Sequence, residues 1–400
     1  MISGVRTMDR MYNIPDEVLE LILLRLASPL HLIRAASTSK RLRRIVRDTG
    51  FLRRFASLNE KHLVAGSYYN YSSIIPSTDS PSPVFVPSPS AAMDSSRFSL
   101  DFLWSDDICS SDPSLWTISD SRGSLLLLTF NDNDYEDNCS SSWCLRAVVC
   151  EPSTRRYTIV APLVRSDCWD MNPGPFFLDS GADDTGGGIS LSSFRLVCVL
   201  RERYCHPCHH RAVTFTSSAG GSCGSWRESN VEWQTSMFFM GHTKASLYWH
   251  VGNRTVAVMD RRTAEFTSSR LPGTEETYWN AHRVVAGRDG EARIVIKEAG
   301  GVLKVFVKSQ DGSSEWALEK RIQLSNVLPG CNPSNFSHER AWIMVRVRDT
   351  ALIVIELFGE RWAYRLDIET MEAEQVSRDA VYNVAFPCEL PWPPAFHASN

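Results

Sequence analysis

Ile14-Pro15-Asp16-Glu17-Val18-Leu19-Glu20-Leu21-Ile22-Leu23-Leu24-Arg25-Leu26 is the stretch around which the chain is organised. Pro15 suits the first position of a helix, because its missing N–H would have no partner there. Asp16 and Glu17 set negative charge at the positive end of the helix dipole. From Val18 through Ala27 only Glu20 and Arg25 are polar, so apolar side chains coat nearly the whole circumference rather than one stripe. A helix that is apolar all round has to be covered all round. Two short helical stretches follow. One begins after Ser28-Pro29 and carries Leu30, Leu32, Ile33, Ala35 and Ala36; the other runs from Lys40 to Arg47 with Leu42, Ile45 and Val46. Three helices of this size cover one side of the first helix and little more, so its other side predicts a partner.

These residues, with Leu32-Ile33-Arg34-Ala35-Ala36-Ser37-Thr38-Ser39-Lys40-Arg41-Leu42-Arg43 and then Phe51, closely resemble an F-box. That motif begins with Leu-Pro, runs to an Ile-Leu-x-Arg-Leu stretch and continues through Val-Cys-Lys-x-Trp-Arg to a Phe. Ile14 replaces the usual Leu, and Ser39 and Leu42 stand where Cys and Trp are common. The resemblance covers residues 12–57. It implies a three-helix module docking on a Skp-type adaptor and, through it, on the cullin scaffold of a ubiquitin ligase. Ile14, Pro15, Val18, Leu19, Ile22 and Leu26 are then the expected adaptor face. The competing reading is a helical cap packed only on its own domain.

Four hundred residues suggest two or more units, and a hydrophobic fraction of 43% supplies ample apolar material for a core. Mean hydropathy is -0.20, a value expected of a soluble globular protein. The net charge of -4 decides little. Arg41, Arg43, Arg44, Arg47, Arg53 and Arg54 cluster in the N-terminal module, but without interleaved aromatics they read as a solvated helix face rather than a nucleic-acid patch. The start Met1-Ile2-Ser3-Gly4-Val5-Arg6 is followed by no apolar run of signal-peptide type, and no later run approaches a membrane span. Eleven cysteines without pairing rhythm fit reduced thiols, which points to the cytoplasm or nucleus.

Residues 70–96 have the composition of a linker, with Ser and Pro dominant through Pro76-Ser77-Thr78-Asp79-Ser80-Pro81-Ser82-Pro83 and Pro87-Ser88-Pro89-Ser90. Val84-Phe85-Val86 interrupts the segment and could pin it to a surface. From Phe98 the texture changes to short β-rich runs separated by Gly, Pro, Asp and Asn. Leu125–Phe130, Trp143–Val149 and Tyr157–Val160 make one group. Phe194–Leu200 and Ala212–Ser217 begin the next, and Ala245–Val251, Thr255–Asp260 and Glu265–Leu271 follow. Ala292–Lys297, Leu303–Lys308 and Trp316–Leu324 repeat the beat, and Trp342–Arg346, Ala351–Leu357, Trp362–Asp367 and Glu374–Val376 repeat it again. Groups recurring every ~40 to 50 residues have the period of propeller blades. Met259-Asp260-Arg261-Arg262-Thr263-Ala264-Glu265-Phe266 and Leu366-Asp367-Ile368-Glu369-Thr370-Met371-Glu372-Ala373 share Asp, Thr and Glu at the same spacing, as the hairpin of a repeated unit would. The fold class expected is therefore α+β multidomain: a small three-helix F-box, then an all-β domain over 98–395 forming a propeller of about six blades.

The β-rich part also looks like the propeller-like domain that follows the F-box in a large group of plant F-box proteins. The likeness rests on Asp120-Ser121-Arg122-Gly123-Ser124-Leu125-Leu126-Leu127, Cys150-Glu151-Pro152-Ser153-Thr154-Arg155, Leu247-Tyr248-Trp249-His250 and Glu389-Leu390-Pro391-Trp392-Pro393-Pro394.

Cys205-His206-Pro207-Cys208-His209-His210 is the best metal candidate, but a structural zinc site wants two such pairs on a rigid frame, and the segment reads as a loop. Gly186-Gly187-Gly188 and Gly220-Gly221 lack the strand, helix and Lys of a phosphate cradle. Gly241-His242 is not followed by a Trp-Asp pair, which disfavours a tryptophan-aspartate repeat. No catalytic constellation and no cofactor is expected. Most tryptophans should fill the spaces between sheets, with one or two left for recognition. The expected function is that of a substrate receptor carrying a target protein to a ubiquitin ligase. The alternative is an adaptor-bound scaffold or ligand sensor that does not drive degradation.

Overall fold

The computed structural model describes residues 14–390 except 27–28, 59–63, 71–82, 89–93, 105–112, 131–142, 166–168, 172–173, 180–188, 203–208, 218–223, 232, 234, 253, 272–281, 309–314, 331–340, 345–350, 358–361 and 378–384. Four helices come first: α1 (Asp16–Leu24), α2 (Pro29–Thr38), α3 (Lys40–Val46) and α4 (Thr49–Leu58). The three-helix expectation thus gains a helix. Asp48 explains it, since its Oδ1 accepts the Phe51 N–H at 2.8 Å and so satisfies an orphan donor at the helix start. Ser39 does the same for α3, accepting the Arg41 N–H at 3.2 Å. Pro15 stands one place earlier than expected, at the cap of α1. Leu19 and Leu23 of α1 pack with Leu32, Leu42, Val46, Phe51 and Phe55 in a core of the module's own.

The rest is a six-bladed β-propeller. Blade 1 joins the two ends of the β region: β1 (Val64–Tyr69) lies between β2 (Val84–Pro87) and the last strand, β24 (Ala385–Glu389). Blade 2 is β3 (Trp116–Arg122), β4 (Leu125–Phe130), β5 (Trp143–Glu151) and β6 (Arg156–Arg165). Blade 3 holds β7 (Trp169–Met171), β8 (Phe176–Leu178), β9 (Arg195–Glu202), β10 (His210–Thr216) and β11 (Ser225–Asn230). Blade 4 is β12 (Met237–His242), β13 (Ser246–Val251), β14 (Thr255–Asp260) and β15 (Phe266–Arg270). Blade 5 is β16 (His282–Ala286), β17 (Ala292–Glu298), β18 (Val302–Lys308) and β19 (Trp316–Gln323). Blade 6 is β20 (Ala341–Met344), β21 (Leu352–Leu357), β22 (Trp362–Asp367) and β23 (Ala373–Ser377). All described pairings are antiparallel. Inner strands meet around the ring, β24 against β3, β3 against β8, and β12 against β16.

The β region therefore starts at Val64, and not at Phe98 where composition changes. Val84-Phe85-Val86, inside the expected 70–96 linker, is a paired strand, because Tyr68 and Phe98 enclose Phe85. Ser88 N donates to Ala65 O at 2.8 Å, so in this register Val84, Val86 and Ser88 turn their backbone groups to β1. The backbone groups of Pro83, Phe85 and Pro87 point away from β1, and two of those three residues have no N–H to offer, which blunts the edge against further pairing.

Blade 2 is buried on both faces, which is why Leu125-Leu126-Leu127-Leu128 is an unbroken apolar run. Leu126 and Leu128 pack toward blade 1 with Tyr68 and Cys388, whereas Leu125 and Leu127 pack toward blade 3 with Phe177 and Phe215. Gly241 lies at φ 142°, and a Cβ there would sit 2.5 Å from the Val284 carbonyl oxygen of the next blade; close approach between inner strands excludes a side chain.

The two matching sequence turns are the same turn. Asp260 Oδ1 accepts the N–H groups of Arg262 and Thr263 at 2.8 and 2.9 Å; Asp367 Oδ1 accepts those of Glu369 and Thr370 at 2.8 and 3.0 Å. Ala264 and Met371 occupy the left-handed region at φ 62° and 63°. The residues after each Asp, Arg261 and Ile368, are both buried and both donate their N–H inward, to Ala245 O and Ala351 O.

Candidate functional site

The helical module presents the clearest unmatched surface. Asp16 anchors α1 from below, accepting from Arg41 Nε and Arg44 Nη2, each at 2.6 Å. The Arg41 hydrogen bond, followed by that of Arg44, holds the Asp16 carboxyl below its ordinary range. Arg54 of α4 pairs with Glu20 of α1. With α1 pinned in this rotation, Leu19 and Leu23 are 7% and 4% exposed, while Val18, Leu21 and Ile22 are 43%, 61% and 52% exposed. At 100° per residue, exposed Pro15, Val18, Leu21, Ile22 and Arg25 fall within an arc of about 120°. Four of those five are apolar. Leu58, at the end of α4, is a further exposed apolar side chain of the module.

The six residues expected on the adaptor face divide. Pro15, Val18 and Ile22 stand on the exposed arc. Ile14 and Leu26 are half-buried against the module's core, and Leu19 lies inside it. Leu21, absent from the expected set, is the most exposed large apolar residue of α1. Because the helix is apolar all round, periodicity carried no signal to separate Leu19 from Leu21.

In the propeller, Trp116, Trp249 and Trp316 are buried between blades, as expected of fillers, whereas Trp362 is 49% exposed. Cys205, His206 and Cys208 lie outside the described residues, as do Gly186–Gly188, Gly220 and Gly221. His209 is exposed, and burial first of all lowers the buried His210 below its ordinary range. Among the described residues no group of three or more His, Cys, Asp or Glu side chains could hold a metal ion, and no helix is long and apolar enough to cross a membrane.

The F-box-like family model matches residues 11–58, so this segment is an F-box-like domain. No curated protein matches the chain. Among solved structures, apo AztD from Citrobacter koseri is 14% identical, with 64% of this chain and 57% of that one covered and a TM-score of 0.31. The SapL1 lectin in complex with alpha methyl fucoside is 10% identical, with 68% and 78% covered and a TM-score of 0.34. The β-propeller domain of Myceliophteria thermophila Cps50 (Swd1) is 8% identical, with 65% and 85% covered and a TM-score of 0.27. The chain spans less than two thirds of the AztD chain it matches.

Proposed function

We propose that this chain is the substrate-receptor subunit of a Skp-cullin-F-box ubiquitin ligase, with the helical module held by a Skp-type adaptor and the propeller holding a target protein. F-box domains generally bind adaptors of that type. The observation that carries the proposal is the apolar arc of Pro15, Val18, Leu21 and Ile22 on α1, left in water by the module's own core. Contiguous apolar surface of this kind is a docking surface. The cullin scaffold is reached only through the adaptor. The chain's contribution is proximity, raising the effective concentration of target lysines, and the reading gives it no catalytic residue and no cofactor. The cytoplasm or nucleus is the proposed compartment, and Cys144, Cys150, Cys198 and Cys388 are free thiols.

Replacing Val18, Leu21 and Ile22 together by Ser tests the adaptor half. Loss of co-purification with the adaptor from a chain that still folds is the expected result; full retention overturns it. For the target half, proteins captured by the chain should accumulate when the proteasome is inhibited. Captured partners whose levels stay constant would favour a scaffold over a degradation receptor.

A further inference from the structure

The chain enters α1 through Ile14-Pro15-Asp16, and one side chain from another helix holds it on both sides of the proline. Arg41 Nε donates to Asp16 Oδ1 at 2.6 Å, and Arg41 Nη2 donates to the Ile14 carbonyl oxygen at 2.5 Å. Two donors on one edge of a planar guanidinium thus meet a carboxylate and a carbonyl two residues apart, a pairing that the single ammonium of a lysine cannot reproduce. Arg41 is itself fixed. Ser39 Oγ accepts its N–H at 3.2 Å at the cap of α3, and the next residue, Leu42, is buried in the module's core. Arg44 takes the other Asp16 oxygen, at 2.6 Å, and not the Ile14 carbonyl.

Between the two gripped groups stands Pro15, exposed and the first residue of the apolar arc. At φ -57° and ψ 149° it lies outside the helix, while its carbonyl oxygen accepts the N–H groups of Val18 and Leu19 at 3.1 and 3.2 Å. Those bonds open a helix of only nine residues, and a helix so short holds its first turn through tertiary contacts rather than by propensity. We infer that Arg41 is a positioning residue for adaptor docking: by gripping Ile14 and Asp16 it presents Pro15 in the conformation that the adaptor binds. The inference rests on the receptor reading above. Without the grip, the entry to α1 has to be ordered as the partner docks, and ordering one residue weakens binding by about tenfold.

Titrating the full chain with a purified Skp-type adaptor tests the assignment. Arg41→Lys keeps the charge but not the fork and should bind about tenfold more weakly. Arg44→Lys, which leaves the Ile14 contact in place, should stay within about twofold of the wild-type chain. Double-mutant cycles separate positioning from a general loss of stability. Combined with Pro15→Ala, Arg41→Lys should add little further loss, because the residue it presents is gone; combined with Ile22→Ser, its loss should persist in full. Wild-type affinity in Arg41→Lys overturns the inference, and so does a loss that multiplies with that of Pro15→Ala. A wild-type chain that ignores the adaptor removes the receptor reading and this inference together. If Arg41→Lys melts below the assay temperature, Asp16→Asn, which weakens the same grip, takes its place in both cycles.

Discussion

Arg261, in the turn after β14 of blade 4, donates Nη1 to Asp120 Oδ2 on β3 of blade 2 at 3.1 Å, and the two side chains are 1% and 7% exposed. The same Nη1 donates to the Phe177 carbonyl oxygen of blade 3 at 2.9 Å, while Asp120 Oδ2 accepts the Phe177 N–H at 2.9 Å. Three blades are therefore tied at one buried ion pair. In the matching turn of blade 6 the position of Arg261 is filled by Ile368, which shows that the turn needs a buried plug but no charge.

Removing one partner should cost far more than removing both. Arg261→Met leaves Asp120 buried and unpaired, and a loss of about 3 to 5 kcal/mol is expected. Arg261→Met with Asp120→Asn should recover much of it. Urea midpoints of the two single variants and the double variant check this; additive losses would refute the coupling.

Exposed and buried positions of α1 should separate cleanly. Val18→Ser and Ile22→Ser lie on the open arc and should change the module's stability by no more than about 0.5 kcal/mol while weakening adaptor binding. Leu23→Ala, in the core, should cost about 2 to 5 kcal/mol. Thermal melts beside adaptor titrations distinguish the two; equal melting losses would mean that the arc is not free.

The repeated turn gives a paired prediction. Burial raises Asp367, but the N–H groups of Thr370 and Glu369, with Arg288, outweigh it and hold the carboxyl below its ordinary range. Asp367→Ala removes the acceptor for both backbone donors and should cost about 1 to 2 kcal/mol. Met371→Gly, at φ 63°, should instead be neutral to stabilising by up to about 1 kcal/mol, since left-handed backbone strains any residue with a Cβ. Denaturant midpoints of opposite sign are the expected signature.

On the same end of the ring, Arg293 binds both oxygens of Asp289, at 2.8 and 2.9 Å. The Arg293 hydrogen bonds lower Asp289 from 3.8 to about 2. Its folded-state value is depressed, so the stabilisation is complete above 3.8 and is lost as pH falls through about 2. Half of the Asp289 side chain is exposed, which keeps the contribution small. Asp289→Asn should lower the melting temperature by a small, constant amount above pH 4 and flatten the acid limb below it, where the two curves converge; a gap that changes between pH 5 and pH 7 would contradict this assignment.

Much of this architecture is local enough to be legible in order along the chain. Thr255–Asp260 and Trp362–Asp367 are strands at the bounds the sequence predicts. The inner strands β12, β16 and β24 were not legible. Gly241 interrupts β12, and β16 opens on His282-Arg283, residues that read as polar until a neighbouring blade buries them. Blade 1 was illegible for a different reason, since β1 and β24 pair Val64 with Glu389, which no local pattern can announce.

By itself the sequence determined that an N-terminal helix apolar on every side is followed by repeating strand groups, because helix caps, turn residues and apolar runs act over a few positions. Tertiary structure decided which side of that helix is left open. Asp16, gripped by Arg41 and Arg44, sets its rotation, so that Leu19 goes inward and Leu21 outward. It also decided that the ring closes by joining its first strands to its last, since that pairing depends on the accumulated turn of five intervening blades.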